Sequence, residues 1–134
     1  MKHKILIVDD EEQVRMTIRL QLKDTGLEII EAEDGEQGIA MLDNENALIV
    51  DAIICDVRMP KINGVEAVHY FRQEYPAIPV IVLTGFPDVK LATEFLKEGV
   101  DDYLVKPVEK EKLVEAVMKA VSHRNSSSGP DMIA

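Results

Sequence analysis

Five short apolar runs recur along the chain: Ile5–Val8, Glu28–Ala32, Ala52–Cys55, Val80–Leu83 and Tyr103–Val105. They are rich in Ile and Val and mostly lack the polar alternation of a half-exposed strand. That is the pattern of strands covered on both faces of a parallel sheet. Between the runs, apolar positions recur at helical spacing. Val14, Ile18 and Leu22 are four apart, Val89, Ala92 and Leu96 follow i, i+3, i+7, and Leu113, Val117 and Val121 are again four apart. Each set predicts a helix with one apolar stripe on one face. Val65 and Val68 begin a similar stripe, and Ile39 with Leu42 a weaker one. Gly26 and Gly99 stand where helices would end, and Asp34 with Gln37 has the spacing of a capping box. The segment Asn44–Val50 fits either an extension of the second helix or a loop into the third strand. Strand and helix thus alternate through the chain, which predicts an α/β fold: a doubly wound, open parallel sheet with helices on both faces. The rhythm stops at Asn125-Ser-Ser-Ser-Gly-Pro130, so residues 1–124 are expected to form one domain and residues 125–134 a flexible tail or the start of a linker.

Composition narrows the function classes. A chain of 134 residues, 46% apolar, suits one domain with a real core. No apolar run approaches the roughly 20 residues of a membrane span, and Ile5–Val8 is too short for a signal-peptide core. The expectation is a cytoplasmic protein without membrane contact. A single cysteine, Cys55, excludes an internal disulfide, and its apolar surroundings read as those of a small buried hydrophobe. The net charge of −10, from 25 acids against 15 bases, disfavours direct nucleic-acid binding and favours cationic partners or metal ions. His3, His69 and His123 have no zinc-site spacing.

In open α/β sheets, ligands bind at the carboxyl ends of the strands. The first strand ends in Asp9-Asp10, the third in Asp56, the fourth in Thr84-Gly85 and the fifth in Lys106-Pro107. If these strands are neighbours, three carboxylates, a hydroxyl and an ammonium converge. Two like charges 4 Å apart repel by about 4 kcal/mol at an effective dielectric of 20, and one lysine cannot offset three acids. Such a site either titrates upward or holds a cation. Oxygen-only ligands suit Mg²⁺. A carboxylate flanked by Mg²⁺ and a lysine is equipped for phosphoryl transfer, with the carboxylate as nucleophile and Thr84 able to donate to a phosphoryl oxygen.

The residues that carry this reading, "ILIVDDEE" (5–12), "IICDVRMPKINGVE" (53–66), "VIVLTG" (80–85) and "GVDDYLVKP" (99–107), resemble in kind and order the receiver domain of two-component response regulators. The likeness spans Lys4 to Val121. It implies a flavodoxin-like five-stranded sheet of order 2-1-3-4-5. It implies that Asp56 accepts a phosphoryl group from a sensor histidine kinase or histidine phosphotransfer protein. Asp9, Asp10 and Asp56 would organise Mg²⁺, with the Arg58 main-chain carbonyl as a further contact. Thr84 and Lys106 would bind the phosphoryl group. Tyr103 would be the aromatic that turns inward as Thr84 moves, reshaping the face made by the fourth helix, fifth strand and fifth helix toward an output domain or protein not named by the sequence. Dimerisation on phosphorylation through the helices of that face is a further implication. Gly85 would leave room for the phosphate, the Lys106–Pro107 bond would be cis, and Arg58 and Phe86 would tune the lifetime of the phosphate.

Plainer roles compete at several of these positions. Asp10 with Gln13 also fits a capping box, Tyr103 also fits a half-buried strand tyrosine, and Gly64 suits a turn or helix start. Among functions, a phosphatase of the haloacid-dehalogenase type would need a second acid two residues after Asp56, where Arg58 stands. A phosphate-independent pseudo-receiver would usually lack one of the acids, the threonine or the lysine, and all are present. A dinucleotide binder would need a glycine-rich loop after the first strand, where Asp9-Asp10 stands.

Overall fold

Each of the five apolar runs is a strand in the computed structural model of the protein, which describes residues 2–44, 46–57 and 63–127. In chain order the elements are β1 (Lys4–Val8), α1 (Glu12–Leu22), β2 (Glu28–Ala32), α2 (Gly35–Asp43), β3 (Val50–Asp56), α3 (Asn63–Glu74), β4 (Val80–Thr84), α4 (Val89–Lys97), β5 (Asp102–Val105) and α5 (Lys110–Ser127). The five strands form one parallel sheet of order 2-1-3-4-5.

Side chains of a strand alternate between faces, and that alternation divides the core in two. Leu6, Val8, Ile53, Cys55, Val80 and Val82 point into one layer, where Leu42 of α2, Val68 and Phe71 of α3 and Phe95 of α4 meet them. Ile5, Ile7, Ala52, Ile54, Ile81 and Leu83 point into the other, against Ile18 and Leu22 of α1 and Leu113, Val117 and Val121 of α5. With helices on both sides, neither parity of the central strands reaches water, so these strands have no polar phase.

The local signals act as their chemistry suggests. Asp34 caps α2 by accepting from Gln37 N–H at 2.7 Å, and the Gln37 side chain accepts in return from Glu33 N–H at 2.6 Å. Gly26 and Gly99 have φ of +81° and +92°, the left-handed region that favours glycine after a helical turn. Of the Asn44–Val50 segment, Asn46–Leu48 form a 3-10 turn and Val50 opens β3. Helix α5 continues through Ser127. The chain meets its next helix breaker only at Gly129. Residues 128–134 lie outside the described residues.

Helix α4 departs from its sequence pattern. The Val89–Ala92–Leu96 stripe does not face the core: Val89 is 85% exposed and Leu96 54%. Phe95 is fully buried instead, with Leu91 packed beside that layer. An aromatic ring offers more apolar area than either aliphatic residue, and in a helix this short one ring sets the rotation. The C-terminal end of α4 is held by Arg72 of α3, which donates to the carbonyls of Glu98 and Pro76 at 3.1 Å and of Ile78 at 3.2 Å. Phe95→Ala is therefore expected to lower stability by about 3–5 kcal/mol, while Leu96→Ala changes it by less than about 0.5 kcal/mol. Urea unfolding of the two variants checks the assignment. Equal losses would restore the sequence-predicted face.

Candidate functional site

Strand register brings the chemistry together. Val8 is level with Cys55, so Asp9 follows at the height of Asp56, and Asp56 is level with Leu83. Thr84 is paired with Val105, and Lys106 comes next. The carboxyl ends of β1, β3, β4 and β5 therefore present Asp9-Asp10, Asp56, Thr84 and Lys106 to one edge of the sheet, and all five come together as the sequence predicts.

Asp9, Asp56 and Thr84 are buried, at 3%, 7% and 1% exposure. The Lys106 ammonium lies 3.1 Å from Asp9 Oδ2 and 3.5 Å from Asp56 Oδ1. Asp9 Oδ1 accepts from Glu11 N–H at 2.8 Å. Burial raises the pKa of Asp9 above its ordinary value, against the opposing pull of the Glu11 N–H and the Lys106 ammonium. One oxygen from each of Asp9, Asp10 and Asp56 lies within 4.8 Å of the others, so these three residues could hold a metal ion. The donors are all carboxylate oxygens, which fit a hard cation such as Mg²⁺. Three carboxylates against one ammonium leave two negative charges, the complement of a divalent ion.

Thr84 Oγ1 accepts from Phe86 N–H at 3.0 Å, which keeps the hydroxyl proton for another acceptor. The Thr84 carbonyl accepts from Lys106 N–H at 2.8 Å, fixing the lysine main chain to β4. The Lys106–Pro107 peptide is cis. A Cβ on Gly85 would meet nothing nearer than Lys106 Cδ at 4.0 Å, so the space there is open. The Tyr103 ring is partly buried against the α3–α4 layer, and its hydroxyl accepts from Asp88 N–H at 3.2 Å at the start of α4. Phe86 is 60% exposed and lines a groove with Val57, Val65 and Leu91. Arg58 lies outside the described residues.

Asp10 does not occupy the N-cap position that its spacing to Gln13 suggests. Helix α1 starts at Glu12 with Glu11 as N-cap and no side-chain cap. The Asp9 carboxylate already takes the Glu11 N–H, which moves the start of the helix one residue on. Two further residues support the site: Gly64, read from the sequence as suiting a turn or helix start, and Arg15, which no motif singled out. Gly64, at the start of α3, lies so close to the end of β3 that a Cβ would come 2.3 Å from the Asp56 carbonyl oxygen. Arg15 is a buried cation that donates to the Asp9 carbonyl at 2.6 Å and to Glu31 at 2.9 Å. Its signal is present in the sequence: Arg15 stands i, i+3, i+7 with Ile18 and Leu22, on the buried side of α1.

A family model for the response regulator receiver domain matches residues 5–118. The chain is 36% identical over 132 residues to response regulator MprA of Mycobacterium sp. (strain KMS), covering 98% of this chain and 56% of that protein. It is 33% identical over 122 residues to transcriptional regulatory protein ZraR of Salmonella typhimurium, covering 91% of this chain and 27% of that one. A response regulator receiver domain from Clostridium thermocellum superposes with a TM-score of 0.83 at 32% identity, over 92% of this chain and 97% of its own. The chain thus spans only part of the length of these curated relatives. Among the described residues no helix is long and apolar enough to cross a membrane.

The raised pKa of Asp9 has a direct consequence for stability. Stability tied to its neutral form is fully present below pH 3.8 and lost as the pH rises through the higher folded-state value. In metal-free buffer, Asp9→Asn is expected to resist urea better than the parent at pH 7.5, with a smaller gap at pH 4.5. An Asn variant less stable at pH 7.5 would mean that the Lys106 contact outweighs the burial of the charge.

Proposed function

The chain belongs to the response regulator receiver family, and on that premise we propose that Asp56 is the phosphoacceptor of a cytoplasmic signalling switch. The observation that carries the reading is the Lys106 ammonium bridging Asp9 and Asp56 inside a cluster of three carboxylates. A phosphohistidine on a sensor kinase or histidine phosphotransfer protein is the donor. An Asp56 carboxylate oxygen bonds to phosphorus as the phosphorus–nitrogen bond breaks, and the imidazole leaves with the electron pair. Lys106 offsets charge on the phosphoryl oxygens, and Thr84 donates its free proton to one of them. Mg²⁺, held by Asp9, Asp10 and Asp56, supplies further charge neutralisation when bound. The protein promotes its own modification and has no separate substrate to turn over.

The signal leaves through a short run of contacts. Thr84 is tied to Phe86 N–H, and two residues later Asp88 N–H is tied to the Tyr103 hydroxyl. A displacement of Thr84 toward a phosphoryl group therefore pulls on the β4–α4 connection and on Tyr103. The face beside it carries exposed Val89 and Leu96 from α4, Val105 from β5 and Met118 from α5. Those apolar side chains suit an output partner or a second copy chosen by conformation.

Intact mass after incubation with acetyl phosphate and Mg²⁺ tests the chemistry. The parent is expected to gain one phosphoryl group, and Asp56→Asn and a chelator-treated sample none. An unmodified parent that still binds Mg²⁺ would point to a phosphate-independent binding module. The aromatic at Phe86 is expected to slow attack of water on the acyl phosphate. Loss of the phosphoryl mass should take minutes or longer in the parent and be faster in Phe86→Ala. A parent half-life of seconds would remove that role.

A further inference from the structure

Among the described residues Arg15 is the one buried basic side chain, and its placement is specific. The carbonyl it holds at 2.6 Å is that of Asp9, which is half of the peptide joining Asp9 to Asp10. Control of that peptide plane sets the directions in which both acids leave the main chain. The other end of the guanidinium is fixed by Glu31 of β2, 2.9 Å from Nε, and Arg19 shares the same carboxylate. Asp9 N–H is also tied to β2, donating to the Ala32 carbonyl at 3.1 Å. The Asp9–Asp10 link is therefore gripped from the β2 side and from α1.

We propose that Arg15, oriented by Glu31, is the positioning residue for the metal-binding carboxylates. It fixes the Asp9–Asp10 peptide so that both acids stay within reach of Asp56. Glu31 neutralises the guanidinium, without which a buried positive charge would stand beside a cation site. The guanidinium serves the two partners from separate nitrogens, Nε to Glu31 and a terminal nitrogen to the Asp9 carbonyl, held at a fixed spacing; the three donors of a lysine radiate from a single nitrogen and do not reproduce that spread. The inference rests on the reading that Asp9, Asp10 and Asp56 hold a divalent ion.

Charge and position predict opposite signs, which makes the test decisive. Removing a cation near a metal site tightens metal binding by Coulomb's law alone, whereas losing the positioning contact loosens it. Mn²⁺ binding, followed by loss of the free-ion EPR signal, is measured for the parent, Arg15→Met, Arg15→Lys, Arg19→Met and Asp10→Asn. Melting of each metal-free variant reports folding. Arg15→Met is expected to bind about 10–100-fold more weakly, as for other groups that orient metal ligands. Arg15→Lys should fall between it and the parent. Arg19→Met, which leaves the Asp9 carbonyl contact intact, should match the parent or bind slightly tighter. Unchanged or tighter binding in folded Arg15→Met overturns the proposal; if that variant does not fold, the same result in Arg15→Lys does so. A parent that binds no Mn²⁺ removes the metal site itself and the inference with it. Loss of binding in Asp10→Asn with normal binding in the Arg15 variants removes only the inference.

Discussion

Like charges gathered at one end of a parallel sheet need a cation that can reach them, and here the fold is arranged around that reach. Lys106 follows β5, at one edge of the sheet, while Asp9 follows β1 and Asp56 ends β3. Strand β4 stands between. The lysine stem crosses above it, largely shielded, and brings the ammonium to both carboxylates. Its starting point is set by the hydrogen bond from Lys106 N–H to the Thr84 carbonyl. The same residue of β4 thus anchors the lysine by its main chain and offers its hydroxyl to the site.

The scaffold behind this edge is built to hold still. The central strands are covered on both faces, and Gly64 lets α3 come into contact with the Asp56 main chain where any side chain would collide. Arg15 and Glu31 fix the opposite side of the acidic pair. Rotamers and peptide planes locked in this way keep charged groups close without reorganisation when a ligand arrives.

Helix α4 is the contrasting element. It buries Phe95 fully and little else, keeps a valine and a leucine in solvent, and is tied at its start to Tyr103 and at its end to Arg72. A short helix with one deep anchor and polar ties at its ends can tilt or shift at lower cost than α1, which buries Ile18 and Leu22, or α5, which buries Leu113, Val117 and Val121. Motion that begins at Thr84 has its shortest route into this helix.

Much of this protein is determined by its sequence alone. The five strands, the α/β order, the carboxylates, hydroxyl and ammonium at the strand ends, and the caps at Asp34, Gly26 and Gly99 all follow from local pattern. Each depends on neighbours along the chain or on burial so complete that no polar phase survives. What local pattern could not decide was the rotation of α4, the start of α1 and the work of Arg15 and Gly64. The burial of Phe95 over Leu96 depends on the layer beneath, the N-cap on a carboxylate turned back toward Glu11, and Arg15 on a β2 glutamate sixteen residues away. Gly64 is required by the backbone of β3 passing beneath α3. These are contacts between separate elements, and their energies arise only when the sheet has brought those elements into register.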